Sequence, residues 1–103
     1  MIKITINNKE LINEISIKGH ALYDEYGKDI VCAAVSSIVT TTINAILRID
    51  NASIEYKEKN GVYIKVLKHS EVIDILLINL IDLLENLEKQ YPKHIEIRRC
   101  WLC

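Results

Sequence analysis

Apolar and polar residues alternate at the start of the chain, in IKITI at residues 2–6 and again in EISIK at 14–18. A two-residue period places the apolar side chains on one face of a strand. The intervening NNKE supplies turn residues, so the two segments predict a β-hairpin. From Asp29 to about Arg48 the spacing changes: Val31, Val35, Ile38, Val39, Thr42, Ile46 and Ile49 recur at three- and four-residue steps. That period predicts a helix. Many of these residues are β-branched and helix-poor, so burial must hold the helix in place. SIEYKEK, then Asn60-Gly61, then VYIKVLK predicts a second hairpin, because Asn-Gly accepts the positive φ angles of a type I′ turn. Ser70 is placed to cap a second helix running to about Lys89, Pro92 helps to end it, and HIEIR reads as a last strand.

The order ββαββαβ predicts an α+β fold. It is a two-layer sandwich in which two helices pack on a largely antiparallel sheet, with residues 1–103 forming a single domain. In the second helix Ile73, Leu76, Leu77, Leu80, Leu84 and Leu87 form a core stripe. Ile75, Ile78 and Ile81 fall on the otherwise polar side, either as scattered surface residues or as a partner surface.

Composition narrows the function classes. Half the residues are hydrophobic and the net charge is -1, a globular balance with no general attraction to phosphate backbones. Direct nucleic-acid binding is therefore not expected, although Lys93, Arg98 and Arg99 cluster locally. The chain starts without the basic, then apolar, pattern of a secretory signal. The apolar run VIDILLINLIDLL is interrupted by Asp74, Asn79 and Asp82 and is too short to span a bilayer. A cytoplasmic protein with reduced Cys32, Cys100 and Cys103 is the expectation, with no membrane partner.

The candidate chemistry lies in GHALYDEYGKDIVCAAVSS, residues 19–37. Asp29 fits a helix N-cap, which makes Cys32 the third helical residue. A thiol there sits among unpaired amides at the positive end of the helix dipole, and both favour the thiolate. The same amides, at Cys32 or Ala33, are placed to receive an oxyanion. His20 ends the second strand, and a loop folding back would carry its imidazole to the thiol as a general base and acid. Asp29 either orients that imidazole or caps the helix. Ser36 follows Cys32 by one turn on the same face. Gly19 and Gly27 bracket the loop, while Tyr23 and Tyr26 offer aromatic surface to a substrate. On spacing alone, an ordinary helix entry with a buried cysteine explains the segment as well as a catalytic site does.

The pattern GHAxxxxxGxDIVCAAVS closely resembles the ribosomal-processing cysteine protease family, Prp. Gly19, His20, Ala21, Gly27, Asp29, Cys32, Ala33, Ala34, Val35 and Ser36 match its motif in order and register. The resemblance implies a cysteine endopeptidase that removes an N-terminal extension from a bacterial large-subunit ribosomal protein. His20 and Cys32 would be its catalytic dyad, supported by Asp29 and Ser36. It further implies a homodimer, which favours the partner-surface reading of Ile75, Ile78 and Ile81, and no metal or cofactor. The rival is a non-enzymatic ribosome-associated module that binds a peptide through the same loop. Such a module has no need of a thiol facing a histidine.

The tail CWLC has C-x-x-C spacing but neither a following helix nor a second ligand pair, so it reads as a terminal strand or fray. His69 and His94 read as surface residues.

Overall fold

Ile2–Lys9 (β1) and Leu11–Lys18 (β2) pair antiparallel and bury Ile2, Ile4 and Ile6 with Ile12, Ile15 and Ile17. The computed structural model describes residues 1–19 and 26–100, and the backbone alone for residues 26–29. The first turn is tighter than NNKE predicts. Both strands extend into that segment, and only Glu10, with φ 66°, turns the chain. The register shifts where Asn7 pairs with Glu14 and Asn8 with Ile12. Asn13 is thus the extra residue of a β-bulge, which returns Ile12 to the same buried face as Ile15.

Ile54–Glu58 (β3) and Val62–Val66 (β4) form the second hairpin. Asn60 (φ 56°) and Gly61 (φ 140°) both take the positive φ that their identities favour. β4 pairs with β2 antiparallel, and Ile95–Cys100 (β5) adds to β1 in parallel. The sheet order is β3-β4-β2-β1-β5. One parallel pairing within an otherwise antiparallel sheet is the mixed form of the expected sandwich.

Both helices cover one face of the sheet. Tyr26–Ile49 (α1) buries Val31, Val35, Val39, Ile43 and Ile46. Its segment Ile30–Ile49, with mean hydropathy 2.0, is long and apolar enough by composition to cross a membrane. It is longer than the VIDILLINLIDLL run singled out from the sequence, and its apolar stripe packs into the core. Glu71–Gln90 (α2) buries Ile73, Leu77, Leu80, Ile81 and Leu84. Ile81 departs from expectation: it is 2% exposed, because the core-facing arc of α2 spans neighbouring positions 80 and 81. Ile75 and Ile78 stay outside, with Val72 and Leu83. The opposite face of the sheet is polar, carrying Lys3, Thr5, Glu14, Lys65 and Arg98.

Candidate active site

α1 begins at Tyr26, four residues earlier than the Ile30 start that the cap reading of Asp29 predicts. Asp29 therefore lies inside the first turn, and Cys32 is nearly two turns from the start. In such a helix the amides of Cys32 and Ala33 point at the carbonyls of residues 28 and 29 and complete ladder hydrogen bonds. They are not free to bind an oxyanion, which corrects that assignment. The dipole also fades beyond the first turn, so the helix start contributes little to thiol activation.

Cys32 is a free thiol, half-buried, packed on one side against the core. Its other side opens into a groove of about 320 Å³. One wall is α1, through Cys32, Ser36 and Thr40; the other is the second hairpin, through Tyr56, Glu58 and Gly61. Ile2, Ile17 and Gly19 close one end. The sulfur is thus not sealed in the apolar interior. Ser36, exposed one turn along the helix, shares the groove as its spacing predicts.

Gly19 leads the chain out of β2 with φ 79°, and a side chain there would press on the Met1 carbonyl oxygen. Gly61, with φ 140°, would put a Cβ at 2.7 Å from the Ile17 carbonyl oxygen. Both close approaches leave only glycine at these positions, and both let strand ends meet at the groove. His20, Ala21 and Tyr23 lie outside the described residues, as do the side chains of Tyr26, Gly27 and Asp29. His20 directly follows Gly19 in the sequence, and Gly19 lines the groove.

The hairpin wall was not anticipated from the sequence. Tyr56 and Glu58 alternate onto the same face of β3, a signal available in SIEYKEK, but nothing local shows that this face meets α1. The Tyr56 hydroxyl donates to Glu58 Oε2 at 3.2 Å. Partial burial, then the Glu58 charge and this hydrogen bond, raise the phenol above its ordinary pKa. Among the described residues that line the groove, Glu58 alone is charged.

Elsewhere the histidines are less idle than expected. His69 Nδ1 lies 2.7 Å from Asp74 Oδ1, and Nε2 lies 3.3 Å from Asn13 Oδ1, joining the start of α2 to the bulge of β2. His94 is half-buried and tilts against Tyr91. Both arginines of the basic cluster are paired: Arg98 with Glu96, and Arg99 with Glu85 and Asn8. Cys100, at the end of β5, is disulfide-bonded, which departs from the expectation of three reduced cysteines. Among the described residues no His, Cys, Asp and Glu cluster is arranged to hold a metal.

The family model for cysteine protease Prp matches residues 1–96. This chain belongs to that family. Membership makes it a cysteine-type peptidase. It is 32% identical over 100 residues to the ribosomal processing cysteine protease Prp of Mycoplasma genitalium, covering 94% of each chain. Crystal structures of the Staphylococcus aureus ribosomal processing protease Prp share the fold. One, with a covalently linked product peptide, aligns at TM-score 0.81 and 23% identity, covering 96% of this chain and 97% of that one. Another, with a substrate peptide, aligns at TM-score 0.84 and 22% identity with the same coverage. The ββαββαβ order and the two-layer sandwich are therefore those of Prp proteins.

Proposed function

We propose that this Prp-family chain removes an N-terminal extension from a large-subunit ribosomal protein, with Cys32 as nucleophile and His20 as general base and acid. The observation that carries the reading is the groove that Cys32 and Gly19 share, since Gly19 is the residue next to His20. The names of the related proteases support a ribosomal substrate. In the reaction His20 accepts the thiol proton, and the thiolate attacks the scissile carbonyl carbon. The tetrahedral intermediate collapses to a thioester as His20 returns the proton to the leaving amine. Water activated by the same imidazole then hydrolyses the thioester and frees the second product.

With the Cys32 and Ala33 amides committed to the helix, thiol activation rests on the imidazole rather than the helix dipole. Asp29 precedes Cys32 by three residues in the sequence, a spacing that suits a carboxylate supporting His20. The Ser36 hydroxyl is the groove's nearest helical donor beyond Cys32, available to the thiolate or the substrate. Exposed Val72, Ile75 and Ile78 on α2 support a homodimer formed through that helix.

The test is incubation of wild type, Cys32→Ala and His20→Ala with a peptide spanning the extension junction of the host ribosomal protein. Wild type cleaves; both variants lose at least about a thousandfold in rate. Cys32→Ala still binds, because removing the sulfur spares the groove walls. Binding without cleavage by wild type would favour a non-enzymatic module and defeat the proposal.

A further inference from the structure

The two edges of the sheet are treated differently. On β5 an outward amide, Ile97 N–H, is taken by Glu88 Oε2 of α2 at 2.8 Å. A side chain therefore blocks that edge. β3 is the other edge. Its ladder with β4 is bracketed by Leu67 N–H to the Ser53 carbonyl at 2.7 Å and Lys59 N–H to the Gly61 carbonyl at 3.0 Å. Residues 53 and 59 thus face β4, and alternation turns 55 and 57 the same way. The backbone groups of Ile54, Tyr56 and Glu58 point outward, and among the described residues no strand lies beyond them.

We infer that the extended substrate segment beside the scissile bond adds to this edge as a sixth strand, hydrogen-bonding the outward groups of Tyr56 and Glu58. The inference rests on the protease reading and deepens it. Its occupant follows from continuity: Tyr56 and Glu58 also form the wall opposite Cys32. A strand laid on β3 sits one strand spacing, about 4.8 Å, from it. Every second side chain of that strand lies on the face that carries the groove. Backbone pairing binds an unfolded extension with little regard to its side chains, and the groove reads the alternate ones. Glu55, Lys57 and Glu58 are exposed on the same short strand. Their charges discourage pairing of one β3 with another, as edge charges do generally, while leaving room for a peptide.

Two measurements test this. In the first, wild type is assayed on the junction peptide with single amide-to-ester replacements outside the scissile bond, each removing one N–H. Edge pairing predicts losses of about tenfold in kcat/KM at alternate positions and near-normal values between them. In the second, Tyr56→Pro is compared with Tyr56→Ala, and Glu58→Pro with Glu58→Ala. Proline deletes an outward N–H without touching the β4 ladder. Each proline variant should fall about tenfold below its alanine partner with a similar melting temperature. Should a proline variant fail to fold, the ester scan on wild type decides. A flat ester scan, or proline variants equal to alanine variants, overturns edge addition while wild-type cleavage stands. Wild type that cuts no junction peptide overturns the protease reading beneath it.

Discussion

The two helices cover the same sheet, yet they begin in different ways. α2 starts where its sequence says: the Ser70 side chain accepts from Ile73 N–H at 3.2 Å, and Glu71 and Asp74 lie in its acidic first turn. α1 starts at Tyr26, three residues before the polar residue that resembles its cap. The apolar part of α1, from Val31 to Ile46, is fixed by burial. Asp29, in its first turn, lies nine residues after His20 in the sequence. One helix end is fixed by its cap and the other lies beside the proposed chemistry, so substitutions in the two should separate folding from turnover.

The largest stability effect is expected in α2. Leu77 is fully buried, and Leu77→Ala should cost about 3 kcal/mol in denaturant unfolding while the folded fraction cleaves at the wild-type rate. A matching loss of activity per folded molecule would mean that the core and the groove are coupled. Next come the two helix starts. Ser70→Ala should cost about 1 kcal/mol and leave cleavage unchanged. Asp29→Ala should change stability by no more than about 0.5 kcal/mol, since the residue is not the cap, yet slow cleavage about tenfold. The reverse pattern, stability lost and cleavage kept, would return Asp29 to a capping role.

The smallest effect concerns the hairpin wall. The folded-state pKa of Tyr56 is raised above its ordinary value of 10.0, by partial burial first and then by Glu58. Folding thus favours the protonated phenol. Its contribution to stability is fully present below the unfolded pKa and fades as pH climbs from there through the folded value. Alkaline unfolding of wild type should therefore show a slightly steeper loss than Tyr56→Phe. Glu58→Gln should recover only part of the shift, because burial is the larger cause. Identical alkaline profiles for wild type and Tyr56→Phe would remove the tyrosine from this account.

The element order was legible because each strand has a two-residue period and each helix a run of three- and four-residue steps. Asn60-Gly61 and Ser70 added chemistry specific to a turn and a cap. The start of α1 was not legible, since Tyr26-Gly27-Lys28-Asp29 carries no apolar period and its aspartate imitates a cap. Ile81 was misassigned because a stripe drawn through Leu77, Leu80 and Leu84 is narrower than the arc a sheet covers. The motif around Cys32 carried the family, while Tyr56 and Glu58 line the groove with a helix from a separate part of the chain. No local period encodes that arrangement.

The central claim is that Cys32, open to the groove, is the atom that takes the acyl group. Rapid acid quenching of a single turnover, followed by mass mapping, tests it directly. The account predicts a thioester adduct of the N-terminal cleavage fragment on the peptide containing Cys32, absent from Cys32→Ala. Cleavage by Cys32→Ala at the wild-type rate, or an adduct mapped to another residue, would contradict it.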